Sequence, residues 1–130
     1  MNEFIWPIRV YYEDTDAGGI VHHASYVKFM ERARTEWLRN SGVEMTQLKQ
    51  QHALVLVVRK ISLDYLKPAF LDDLLQVTAS ITKPGKVSMT IAQKVLRDEE
   101  VLCTGVVKIG GINVVSQRPQ AFSPEILKFH

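Results

Sequence analysis

The sequence predicts an α+β fold in two layers, an antiparallel β-sheet wrapped around one long central helix. Three observations lead there. Between Ala24 and Asn40 apolar residues recur with a helical period. From Val55 onward the chain reads as runs in which apolar and polar residues alternate, the period of a half-buried strand. The breaks between the last three runs are of hairpin length, which makes those strands antiparallel neighbours.

Each element follows from its own residues. Residues 4–12 are rich in β-branched and aromatic side chains, and Pro7 suits a strand start or a sheet edge. Ala17-Gly18-Gly19 breaks this strand. Over residues 24–40, Tyr26, Met30, Ala33 and Trp37 form an apolar stripe that Val27 and Leu38 widen. Arg32 and Glu36 have the spacing of a favourable ion pair, and Asn40-Ser41-Gly42 stops the helix. Strands are expected over residues 55–66, 75–82 and 87–91, then 101–115, where Gly110-Gly111 marks a bulge or bend. Lys83-Pro84-Gly85-Lys86 and residues 97–100 supply the turns. Ser123 and Pro124 read as the N-cap and first residue of a short terminal helix. The order is β-α-β-β-β-β, and an open sheet of this kind favours association through an edge or face.

Composition narrows the class. At 130 residues the whole chain, 1–130, is expected to be one domain. The 46% hydrophobic and 23% charged residues are those of a soluble globular protein. A net charge of +2 with scattered Lys and Arg gives no nucleic-acid stripe. No signal peptide is visible, and no apolar run approaches the ~20 residues of a membrane span. A single cysteine, Cys103, excludes an internal disulfide and points to a reducing, cytoplasmic compartment.

Chemistry concentrates in YYEDTDAGGIVHHASYVKFMERARTEWLR, residues 11–39. A strand enters a Gly-rich turn holding Glu13, Asp14 and Asp16, a His22-His23 pair follows, and a helix begins at once. Such an order sets a carboxylate beside the positive end of a helix, where a developing oxyanion is stabilised, and so points to acyl chemistry. Asp16 is the leading candidate, against the alternative that it caps a turn or the helix. In extended backbone Asp14 would share a face with Asp16, but a structural or salt-bridge role suits Asp14 and Glu13 better. The two histidines are adjacent and expected to point apart, and no metal-ligand spacing is present. Cys103 reads as a buried thiol rather than a nucleophile.

These residues carry a family resemblance. DTDAGGIVHHASY, with RVYYE before it and ERARTEWLR after it, resembles the hotdog-fold acyl-CoA thioesterases. It looks closest to the Tol–Pal-associated (YbgC-like) branch, related to 4-hydroxybenzoyl-CoA thioesterase. Similarity continues more loosely through VVRKISLDYLKPAFLDDLLQV. The resemblance implies hydrolysis of acyl-CoA to free acid and CoA, on short-chain aliphatic or similarly small acyl groups. It places the catalytic carboxylate on Asp16, as general base or as nucleophile. It also places the carbonyl-polarising backbone N–H at His23, whose imidazole either orients substrate or merely packs. Arg59 and Lys60, with Lys83 and Lys86, are candidates for the coenzyme A phosphates, although each also reads as a solvated charge. No metal or redox cofactor is implied. A homodimer or homotetramer with sites at the interface is implied, with acyl carrier protein as a further possible partner.

Two departures stand out: His22 replaces an expected tyrosine, and Gly110-Gly111-Ile112 interrupts the last strand. Glu31 is the alternative carboxylate, since some hotdog thioesterases carry the acid on the helix. The rival readings are an acyl-thioester dehydratase and a non-catalytic acyl-binding module. Turnover of enoyl or hydroxyacyl thioesters marks the first, and binding without thiol release marks the second.

Overall fold

The computed structural model describes residues 3–123 and Ile126. The elements are β1 (Phe4–Arg9), α1 (Ser25–Asn40), α2 (Met45–His52), β2 (Leu54–Tyr65), β3 (Leu74–Lys83), β4 (Ser88–Arg97) and β5 (Glu100–Asn113). The strands make a 5-stranded sheet in the order β1-β3-β4-β5-β2, every neighbouring pair antiparallel. The edges are therefore β1 and β2. The α+β class, the central helix and the hairpins match the sequence expectation. No helix among the described residues is long and apolar enough to cross a membrane.

Helix α1 lies on the sheet and divides the core. Tyr26, Phe29, Met30 and Ala33 pack in a cluster with Val10, Leu75, Val77, Val95 and Cys103. Trp37 and Leu38 pack in a second with Leu54, Ile91, Val107 and Ile109. Fully burying one such large side chain contributes roughly 1.5–3 kcal/mol. Two positions depart from the expected stripe. Phe29 is fully buried, whereas Val27 is 38% exposed. At 3.6 residues per turn, Phe29 shares the face of Tyr26 and Ala33, and Val27 turns off it. Arg34 is also buried, where Gln93 of β4 meets it: Nη1 of Arg34 donates to Gln93 Oε1 at 2.9 Å. Gln93 Nε2 donates in turn to the Met30 carbonyl and the Thr78 carbonyl, which ties helix to sheet.

Other differences have local causes. β1 ends at Arg9, and a one-turn 3-10 helix, Tyr12–Asp14, replaces the end of the expected strand. Asp14 is consequently buried and Asp16 exposed, so the two do not share a face. Glu36 pairs with Arg39 at 2.6 Å, not with Arg32. Helix α2 has no counterpart in the sequence reading, because only Leu48 of its eight residues is buried and no apolar period announces it. It closes on Ala53 in the left-handed region, φ 53°, without the usual glycine. The terminal helix expected at Ser123-Pro124 falls on residues outside those described.

The expected irregularity at Gly110-Gly111 lies in the neighbouring strand instead. Both glycines pair regularly with β2, and Arg59 is the extra residue, between Val58 and Lys60. The glycines serve close approach. A Cβ on Gly111 would stand 2.4 Å from the Gln120 carbonyl oxygen, where the chain returns across β5. Gly110 lies under the Arg59 stem, whose Cγ would be 3.3 Å from a Cβ.

Gly111→Ala should lower stability by about 1–3 kcal/mol in urea melts, as overpacking against backbone does. Gly110→Ala, facing a flexible side chain, should cost less. Burial pushes the Cys103 thiol up to about 11 from 9.0, with Asp64 adding to the effect. The folded state therefore holds that proton more tightly, and the stabilisation is complete below pH 9 and lost as pH rises towards 11. The stability difference between the native protein and Cys103→Ala should accordingly narrow across that interval in pH-resolved thermal melts.

Candidate active site

The turn carrying Asp16 is built by its own backbone. Asp16 N–H donates to the Ile20 carbonyl at 2.9 Å, and Gly19 N–H donates to the Asp16 carbonyl at 3.0 Å. Gly19 closes the turn at φ +83°, where a side chain would be strained. The Gly18 N–H donates to Asp16 Oδ1 at 2.8 Å, which fixes the carboxylate plane. The turn-capping role foreseen for Asp16 is thus present. Among the described residues Oδ2 accepts no hydrogen bond and is left available.

Asp14 organises the segment from beneath. Its Oδ2 accepts the Tyr11 N–H at 2.8 Å. Its carbonyl accepts the His22 N–H at 2.8 Å and the Ser25 hydroxyl at 3.3 Å. One buried residue thereby connects the end of the 3-10 turn to the start of α1. This is the structural role expected of Asp14.

The histidines behave differently from the expectation that they diverge. Their rings stack, with centroids 4.3 Å apart. The reason is that His22 turns back onto the helix start, where its Nδ1 accepts the Ala24 N–H at 3.1 Å. That acceptor role puts the neutral ring's proton on Nε2. His22 thus substitutes for the side-chain cap that Ala24 lacks. Among the described residues the backbone N–H of His23 donates to no protein acceptor. It lies in the turn two residues before α1, next to the positive end of that helix.

Asp16 and His23 line one cleft of about 410 Å³ together with Ile20, Val21, Tyr26, Tyr65 and Lys67. The far wall comes from residues 66–68, which follow β2. Tyr65 binds it to the helix: its hydroxyl donates to the His23 carbonyl at 2.9 Å, and its ring meets Tyr26 edge-on at 5.4 Å. Burial raises the Tyr65 phenol above its usual range, with a smaller contribution from Cys103. Burial also raises Tyr26, although the Ala69 N–H that its oxygen accepts pulls the other way. Both hydroxyls stay protonated at neutral pH.

A charged network holds the same wall. Lys67 Nζ lies 2.7 Å from Glu100, Arg97 bridges Glu100 and Asp73 at 2.8 Å each, and the Arg97 guanidinium sits over Phe70. The hydrogen bond from Lys67, then that from Arg97, depresses the Glu100 carboxyl. Each exposed pair contributes little, about 0–1 kcal/mol. Their combined effect is to orient the loop.

Arg59, Lys60 and Lys86 do not line this cleft. Arg59 and Lys60 are exposed midway along β2, and Lys86 is exposed in the turn before β4. Glu31 lines a different cavity, beside Arg34. Tyr65 and Lys67, conversely, were not singled out by sequence. Their only local signal is a strand ending at Pro68, and their meeting with His23 spans 42 residues in the case of Tyr65. Among the described residues no group of three or more His, Cys, Asp or Glu is placed to hold a metal.

The thioesterase superfamily model matches residues 18–104. The chain belongs to the thioesterase superfamily. It is 39% identical over 125 residues to the acyl-CoA thioesterase YbgC of Haemophilus influenzae, covering 96% of this chain and 92% of that one. It is 41% identical over 125 residues to the acyl-CoA thioester hydrolase YbgC of Escherichia coli O6:H1, covering 95% and 92%. A probable thioesterase from Bartonella henselae superposes with a TM-score of 0.89 at 33% identity, covering 94% of this chain and 100% of the other. The fold is the hotdog fold of these thioesterases, and membership makes the chain a thioester hydrolase.

The tie between β2 and the helix start is open to test. Tyr65→Phe removes one hydrogen bond of a type worth about 0.5–1.5 kcal/mol. Stability in denaturant melts should fall by that amount, and hydrogen exchange at residues 23–26 should quicken more than elsewhere in α1. Unchanged exchange there would separate Tyr65 from the helix start.

Proposed function

We propose that the protein hydrolyses acyl-CoA thioesters to free acid and CoA, acting on short-chain aliphatic or similarly small acyl groups. The observation that carries this is the convergence of Asp16 and the start of α1 at His23 on a single cleft.

In this reading the thioester carbonyl points at the His23 N–H, which stabilises the oxyanion as the carbonyl carbon becomes tetrahedral. One such donor is typically worth ~10²–10³ in rate. The Asp16 carboxylate acts in one of two ways. As a base it takes a proton from water as the water oxygen bonds to the carbonyl carbon. As a nucleophile it bonds to that carbon itself, and water then opens the mixed anhydride. In both, the C–S bond breaks, the electron pair leaves on sulfur and the thiolate is protonated to CoA. The fixed carboxylate plane and the unbonded Oδ2 suit either course. The imidazole of His23, stacked on His22 and edge-on to Tyr65, serves to position rather than to transfer protons.

The coenzyme's phosphates need cations that this cleft does not gather. Lys67 stands at its wall but is engaged by Glu100. Arg59, Lys60 and Lys86 serve this role from a second copy joined to the first, so that a homodimer, or a dimer of dimers, completes the site. The open β2 edge, with Val58 and Ile61 exposed, is suited to that contact.

Thiol release measured across a panel of acyl-CoAs tests the reaction. Asp16→Asn should fold and assemble normally while losing at least 10²-fold in kcat, as loss of a general base does. Near-native turnover by that variant would exclude Asp16 from the chemistry. His23→Ala, which keeps the main-chain donor, should lose far less.

A further inference from the structure

A second cavity, about 300 Å³, lies between the C-terminal half of α1 and the strands β2, β4 and β5. Its walls are mainly apolar, among them Trp37, Leu38, Leu56, Met89 and Ile109. Arg34 also lines it, as do Glu31 and Thr35 from the same helix. This residue is only 5% exposed, yet no carboxylate among the described residues lies within ion-pairing distance of it. Glu31, one turn earlier, acts on it only from a distance.

The guanidinium has five N–H donors. One is used, by Gln93 Oε1. Gln93 cannot shift to take more, because both its amide protons are committed to the Met30 and Thr78 carbonyls. The remaining donors are neither bonded within the described protein nor sealed from a probe-sized neighbour. Burial lowers the Arg34 pKa, and Glu31 offsets this in part. A buried cation without a counter-charge is costly, and the cost falls when an anion with good geometry joins it. A planar, two-pronged donor set matches a carboxylate.

We propose that this cavity is a binding site for a small aliphatic carboxylate, its chain against the apolar walls and its carboxylate on Arg34. An apolar cavity of about 150 Å³ accommodates benzene, so this one has room for a chain of about six carbons and its head group. The acid released by the proposed reaction falls in this class, which would make the site one for product. That last link rests on the thioesterase reading; the binding itself does not.

The probe is hexanoate, with 1-hexanol as the uncharged control, titrated into the intact protein and followed by amide chemical shifts and calorimetry. Hexanoate should bind at least tenfold more tightly than hexanol, with shifts centred on residues 34–38, 56–58 and 89–91. Arg34→Met should abolish that preference, and Asp16→Asn should retain it whatever its effect on turnover. Should Arg34→Met fail to fold, Leu56→Trp, which fills the cavity and leaves Arg34 in place, should weaken hexanoate at least tenfold. Equal affinity for hexanoate and hexanol would overturn the proposal. So would shifts confined to the Asp16 cleft, or a preference that survives either cavity variant. If a second copy seals Arg34, hexanoate will not bind, and the proposal fails on that outcome as well.

Discussion

Helix α1 buries eight of its 16 residues against the sheet, and this one contact sets the place of everything else. The helix is too short to be stable by propensity alone, so its order comes from tertiary packing. Its apolar face is long enough to touch both core clusters, which forces the sheet to curve along it. Gln93 adds direction to that otherwise greasy contact. With both amide protons and its oxygen engaged at fixed partners, it sets how far α1 can slide or rotate on β3 and β4. Apolar packing supplies most of the energy, and the buried amide supplies the register.

Once α1 is seated, its first turn can hold only one position relative to the loop before it. The Asp14 carbonyl, the His22 ring and the Tyr65 hydroxyl reach that turn from three sides. Their combined effect is subtractive. They occupy the neighbouring polar groups and leave the His23 N–H and the Asp16 Oδ2 without partners among the described residues. A hydrogen-bonding group left unmade carries a desolvation cost of about 1–3 kcal/mol where water is scarce.

Much of this was legible in the sequence because it depends on period and on turn chemistry. The stripe from Tyr26 to Trp37, the alternation of Leu75, Val77 and Ala79, and the Asp16–Gly19 turn each act over a few residues. The parts that escaped depend on distant partners. Phe29 lies in period with Tyr26 and Ala33 although the stripe passed it over, and Arg34 is buried where a charged side chain gives no sign of it. Arg34 reads as a solvent-facing charge until Gln93, 59 residues away, meets it. Helix α2 is polar and short, and it forms where the chain must travel from α1 to the far sheet edge. Tyr65 reads as an ordinary strand aromatic until the closing of the sheet brings it to His23. Arg59 and Lys60 were chosen for charge alone, which says nothing of where along β2 they lie relative to the cleft.

The two ends of α1 carry opposite arrangements for charge. At the start, a helix terminus offers a donor of partial positive charge in an open cleft, where water competes and the site favours charge that appears only transiently. Eight residues separate Tyr26, on the cleft, from Arg34, a rise of about 12 Å at ~1.5 Å per residue. There a full positive charge lies buried at the wall of a mainly apolar cavity, and a resting anion is favoured because the guanidinium cannot be neutralised by deprotonation. Within one protomer a group of six carbons cannot occupy both positions, so a ligand in the Asp16 cleft and one in the Arg34 cavity would be separate occupants. An enzyme built this way can hold its reactive end for chemistry and its far end for recognition. The rigid rod between them keeps the two from interfering.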